Sequence, residues 1–211
     1  EQGLAGPVGP AGVLTDANNN TKAGTGALAA NATSVGNVAF GTNALGALAS
    51  GNESVAVGAW ALSALSNGRH NVAIGHLTMG GNQTGNDNVA VGWAAMSSAT
   101  NSGTGNVAIG SGAMNRAEAA SSNIGIGEWA LADISGGSNN IALGRMAGSS
   151  MATGSDNIII GNQGEPFESG TIRIGGSNQT RTFIAGISGN DLSATGTAVV
   201  AFSVSIEIYA E

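Results

Sequence analysis

An all-β solenoid of stacked coils is the fold class this sequence predicts. Three observations predict it: a pentapeptide that returns about every 17 residues, a wealth of Gly, Asn, Ser, Ala, Val and Ile, and a shortage of helix formers. The pentapeptide stands at residues 37–41 (NVAFG), 54–58 (SVAVG), 71–75 (NVAIG), 88–92 (NVAVG) and 106–110 (NVAIG). It continues at 123–127 (NIGIG), 140–144 (NIALG), 157–161 (NIIIG) and 171–175 (TIRIG). The closing glycines are 17 residues apart except for a step of 18 into Gly110 and one of 14 into Gly175. A degenerate copy ending at Gly24 keeps the same phase.

Each copy alternates large and small residues, the period of a strand with one face in a core. The expectation is that Val72 and Ile74 point into the core while Ala73 points away. Three and four residues after the glycine comes a second recurring pair, such as Ala44-Leu45, Ala61-Leu62 and Ala113-Met114, expected to form a second short strand. Asn, Ser and Gly between them suit sharp corners, because they tolerate positive φ or bond locally to the backbone. Stacked coils would then pair edge to edge at about 4.8 Å.

The composition limits function. A hydrophobic fraction of 42% excludes simple disorder, while 36 glycines in 211 residues and only 9% charged residues depart from ordinary globular usage. The net charge is -7 with six dispersed basic residues, which leaves no patch to neutralise a row of phosphates, so nucleic acid is not an expected partner. No cysteine is present, so stability has to come from repetition or association. No apolar run approaches the roughly 20 residues of a membrane span, so no membrane insertion is expected. The first residues lack a signal-peptide pattern, and the chain is expected to be part of a longer one.

Residues 3–12 read GLAGPVGPAG, with glycine at every third position and Pro7 and Pro10 between. That is the pattern of a collagen triple helix, in which only glycine fits the crowded axis. Ala39, Ala56, Ala73, Ala90, Ala108, Gly125 and Ala142 form a column of small residues on the strand face opposite the expected core. Small side chains there allow another backbone to approach, and both observations point to a homotrimer. The regularity breaks near the C-terminus, where Ile159 and Arg173 take the alanine position and Phe167, Arg181, Phe183, Phe202 and Tyr209 gather. Three regions are therefore expected: 1–19 as a collagen-like lead-in, 20–176 as the roll, and 177–211 as a β cap or tip.

The run NVAIG, followed by a turn and Ala-Leu or Ala-Met, resembles the heads of YadA-like trimeric adhesins. It also resembles phage tail fibres and collagen-associated bacterial surface fibres, over about residues 20–189. The closing stretch TIRIGGSNQTRTFIAGISG at 171–189 resembles the end of such repeat regions in tail fibres. The resemblance implies a homotrimer of left-handed parallel β-rolls, extracellular on a cell surface or virion, that attaches to a glycan or protein receptor. The 17-residue coil is longer than the shortest repeats of adhesin heads, and AVVAFSVSIEIYAE at 198–211 matches no pattern of the family. These heads share no fixed ligand motif, so no binding residue carries over.

Catalytic chemistry finds little footing. His70 and His76 lie in no metal-binding spacing, and Gly110-Ser111-Gly112 lacks the longer elbow of a hydrolase serine. Glu118, Glu128 and Asp133 are the carboxylates on which a tail-fibre depolymerase would draw, but one coil offers little groove for them. Asp87-Asn88 and Asp156-Asn157 read as Asx turns more readily than as calcium ligands. No metal, cofactor or catalytic residue is assigned. The candidate ligand-binding residues are Trp60, Trp93 and Trp129 along the roll and Arg181, Phe183, Phe202 and Tyr209 in the cap. The tryptophans suit either sugar rings or packing between chains. The expected function is a trimeric binding fibre, with a passive spacer as the alternative and a depolymerase behind it.

Overall fold

A computed structural model of the chain describes residues 14–30, 33–98, 102–179 and 181. The chain divides into two units, Glu1–Asn178 and Gln179–Glu211, and only Gln179 and Arg181 of the second are described. The collagen-like triplets at 3–12, and Phe183, Phe202 and Tyr209 of the expected cap, lie outside the described residues.

The described part of the first unit is an all-β solenoid of about nine turns, one short strand per coil. Two strands open it, β1 (Leu14–Thr15) and β2 (Thr21–Ala23), and the repeats supply β3 (Val38–Phe40), β4 (Val55–Val57), β5 (Val72–Ile74) and β6 (Val89–Val91). There follow β7 (Val107–Ile109), β8 (Ile124–Ile126), β9 (Ile141–Leu143), β10 (Ile158–Ile160) and β11 (Ile172–Ile174). All eleven form one sheet in chain order. β1 runs antiparallel to β2, and every later pair is parallel in the register of the repeat, Val55 opposite Val72 and Ala56 opposite Ala73. The longer step pairs Val89 with Val107, and the shorter one pairs Ile158 with Ile172. β1 lies within the segment expected to be lead-in, so the sheet reaches ahead of residue 20.

Two expectations are corrected. First, the coil has no second strand at the Ala-Leu pair. Leu28, Leu45, Leu62, Met79, Met96, Met114 and Leu131 have φ of 49–51°, the left-handed region, which no strand residue occupies. The segment is a run of turns that folds the coil back on itself, its carbonyls still pairing between coils, as in Leu45 N–H to Ala61 O at 3.0 Å. Left-handed backbone at a bulky residue costs about 1–2 kcal/mol, and full burial of the Leu or Met side chain offsets it.

Second, the strand faces are reversed. Ala39, Ala56, Ala73, Ala90, Ala108 and Ala142 are fully buried inside the coil, and Val57, Ile74, Ile109, Ile126 and Ile160 are 37–41% exposed outside it. The turns make the coil narrow, and Leu45, Leu48, Leu62, Leu65, Met96, Met114 and Leu131 already fill it from the far side. Only a small side chain fits opposite them. At Gly125 even a Cβ would come within 3.1 Å of Met114 Cγ.

Asparagine shares the inward face with alanine, two residues ahead of it. Asn20, Asn37, Asn71, Asn88, Asn106, Asn123, Asn140 and Asn157 are fully buried and stack from coil to coil. Asn88 is typical: its Oδ1 accepts the backbone N–H of Asn106 at 2.9 Å and Nδ2 of Asn106 at 3.1 Å. Its own Nδ2 donates to Asn71 Oδ1 and to Gly103 O at 3.2 and 2.9 Å. Both amide hydrogens and both acceptor sites are used, which is what burial of an amide requires.

The two ends of the ladder are closed differently. At the start, Asp16 Oδ1 accepts the backbone N–H groups of Asn18 and Asn20 at 2.9 and 3.0 Å, and both its oxygens meet Asn20 Nδ2. At the other end Asn157 Oδ1 accepts Thr171 N–H at 2.9 Å, and Arg173 in the alanine column pairs with Glu168 at 2.6 Å. The hydrogen bond to Glu168 raises the Arg173 pKa above its ordinary value and keeps the guanidinium charged.

Candidate association face and flanking hollows

The outward face of the sheet is an unusual feature of the described surface. Because β-strand side chains alternate, inward Ala forces the residues on either side of it outward. Parallel register then aligns them into two columns, one from Val38 to Ile172 and one from Phe40 to Ile174. Every member is Val, Ile, Leu or Phe, and none is fully buried. Parallel sheets are usually covered on both faces, and soluble monomers rarely expose long continuous apolar strips. A single scattered Val or Ile on a surface means nothing, whereas nine consecutive rungs of them do.

Charged and ionisable side chains meet one coil apart in three separate columns of the described surface. His70 meets Glu53 through Nε2 at 3.0 Å and Asp87 through Nδ1 at 2.9 Å. Arg116 Nη1 lies 2.8 Å from Asp133 Oδ1, and Arg145 Nε lies 3.2 Å from Glu128 Oε2. The Glu128–Arg145 contact agrees with the phase read from the repeat, which puts both directly after a coil glycine. All these pairs are exposed, so each contributes at most about 1 kcal/mol and acts mainly as a register mark. Glu128 and Asp133, two of the carboxylates considered for catalysis, are thus engaged with arginines. Asp87 and Asp156 have left-handed backbone and contact His70 and Asn139, while Asn88 and Asn157 belong to the buried ladder. Among the described residues no group of three or more His, Asp or Glu is placed to hold a metal ion.

The tryptophans do not form a continuous strip. Trp60 and Trp129 share the second position after the coil glycine, with φ of 61° and 57°, and Leu77, Ala94 and Gly112 stand between them. Trp93 is one position earlier and 52% exposed. Trp129 is half-buried and borders a hollow of about 370 Å³ with Arg116, Asp133 and Gln163. A wider hollow of about 530 Å³ opens beside Arg69, His70 and Asp87. Arg181 is exposed and belongs to the second unit. Sequence reasoning missed the outward columns as a surface because it placed them in the core.

Set against protein-family models, curated proteins and solved structures, the chain matches none of them.

Proposed function

We propose that the chain is one protomer of a homotrimeric surface fibre, three left-handed rolls packed through their outward Val/Ile columns, which presents a binding surface and carries out no catalysis. The observation that carries the reading is the pair of outward apolar columns, continuous over β3 to β11. A second copy of the same flat face is its natural cover, since the columns repeat at the same spacing in every copy. The glycine-every-third-residue run at 3–12 supports three chains over two. The small-residue column no longer supports association, because it faces into the coil.

Binding to a cell-surface glycan or protein receptor fits the aromatic residues and hollows on the flank, with the 177–211 segment as a distal cap or tip. A passive spacer is the second reading, favoured by the sameness of the outward columns from coil to coil. Light scattering on a size-exclusion column tests the association: the expected mass is about three times the 20.4 kDa of the chain. Ile74→Lys with Ile126→Lys should yield smaller species with strand content intact. A folded monomer of the parent chain at micromolar concentration overturns the reading. Binding of the trimer to glycan arrays or host cells separates a presenting fibre from a spacer.

A further inference from the structure

We infer that the hollow beside Trp129 is a subsite for one neutral sugar ring. The inference rests on the reading of the chain as a presenting fibre and names the ligand class of one place on it. Trp129 is held outward by left-handed backbone, φ 57°, and its ring lies against Gly112 of the preceding coil. A Cβ on Gly112 would stand 2.7–2.9 Å from three ring carbons. The glycine therefore lets the indole ring lie against the preceding coil while Trp129 borders the hollow. Leu77 and Ala94 fill the same column elsewhere, so glycine is not demanded there by the turn alone.

A flat apolar ring surrounded by polar groups matches the two-sided chemistry of a pyranose, which has C–H groups on one face and hydroxyls around its edge. Around the indole stand Arg116, Asp133, Asn115, Ser149 and Gln163, which together offer hydrogen-bond donors and acceptors. At about 370 Å³ the hollow falls at the small end of ligand sites. Asp133 at 2.8 Å compensates the charge of Arg116, the hollow's cation, and the chain carries a net charge of -7, so an acidic sugar would meet no net positive charge in the hollow and a repulsive overall field. That selects neutral hexoses and N-acetylhexosamines over sialic or uronic acids.

The test follows the three indole N–H resonances of the full chain, assigned with Trp60→Phe, Trp93→Phe and Trp129→Phe. The probes are the methyl glycosides of glucose, galactose, mannose and N-acetylglucosamine, with sialic acid as the acidic comparison. At least one neutral glycoside should shift the Trp129 signal saturably and leave Trp60 and Trp93 unmoved. Gly112→Ala, which pushes the ring without deleting it, should weaken that binding by about tenfold or more with the mass unchanged, at some cost in melting temperature because the residue sits at φ 64°. Silence of the Trp129 signal toward all four, equal binding by Gly112→Ala, or tighter binding of sialic acid overturns the inference. A trimer whose Trp129 stays silent keeps the fibre and loses the subsite. A monomer whose Trp129 responds keeps the subsite and loses the fibre.

Discussion

Asn71 donates its backbone N–H to Ser54 Oγ at 3.2 Å, where the other described rungs after Asn20 meet an asparagine Oδ1. Ser54 takes the N–H of its own rung from Asn37 Oδ1 at 2.9 Å, so the chain of bonds passes through it. Its hydroxyl donates to Asn52 O at 3.3 Å within its own coil, where asparagine on rungs such as those of Asn71 and Asn88 donates to a carbonyl 14 or 15 residues on. Asn71 Nδ2 keeps Gly85 O at 2.8 Å and has no Oδ1 beneath it.

Ser54→Asn should therefore complete the ladder. The new amide would accept from the backbone and side chain of Asn71, for a gain of about 1 kcal/mol from one added buried bond. Thermal unfolding is the measurement. An unchanged or lower midpoint would show that the serine rung is locally shaped to its smaller side chain.

Asn82 stands in a different column, with Leu48, Leu65, Ile134 and Met151 at the matching positions of other coils, all fully buried. Its Oδ1 accepts Gly85 N–H at 2.9 Å, but its Nδ2 is buried without a hydrogen-bond partner. A buried unsatisfied amide hydrogen costs roughly 1–3 kcal/mol. Asn82→Leu should raise stability by about 1 kcal/mol, the relief of Nδ2 and the added apolar burial outweighing the lost Oδ1 bond. Chemical denaturation with an unchanged slope would report it, and a fall in the midpoint would mean that the Gly85 bond matters more.

The period, the phase and the register were legible in the sequence, because the glycines and the Asn-Val-Ala string mark every coil. The side facing inward was not. Period-2 alternation is symmetric, and it places Val72 and Ile74 on one face without saying which face that is. The deciding fact is how wide the coil is inside, and that is set by left-handed turns at Leu45, Leu62 and Met96, residues with no intrinsic taste for that conformation. One clue was present. Asn71 and Ala73 are two residues apart and must share a face, and an asparagine at the head of nearly every strand is better explained by a buried ladder than by a corner. The hollow at Trp129 was half legible: its tryptophan stood out, whereas Arg116 and Asp133 come to it only through stacking.

Gly75 illustrates the tolerance of the coil corner. Its φ is 132°, and a Cβ would lie 2.5 Å from Gly92 O and 2.7 Å from Thr78 Oγ1. Both the backbone conformation and the next coil exclude a side chain. Gly75→Ala should cost about 2–4 kcal/mol, more than an average substitution. The damage should be local, since a solenoid depends on nearest-neighbour contacts, so hydrogen exchange should accelerate most in β5 and β6. Uniform acceleration across all coils would argue for a single cooperative unit instead.

Asp16 connects the start of the ladder to pH. Its pKa is lowered below the ordinary 3.8, first by the backbone hydrogen bond from Asn20, then by the Asn20 side chain, with Asn18 and Lys22 adding smaller effects. A carboxyl whose pKa is depressed by folding stabilises the fold while ionised. Its contribution is fully present above about 3.8 and is lost as pH falls through the lower folded value. Acid should therefore loosen the β1–β2 hairpin and the Asn20 rung before it touches the central coils, whose ladder is built of uncharged amides. Asp16→Asn keeps an oxygen able to accept from Asn18 and Asn20 but removes the titration. Following the amides of Thr21, Lys22 and Ala23 by NMR from pH 5 downward, the parent should fray progressively below pH 4 while the variant changes little over the same range. Equal fraying in both would assign the acid sensitivity to another group and leave Asp16 as a neutral cap.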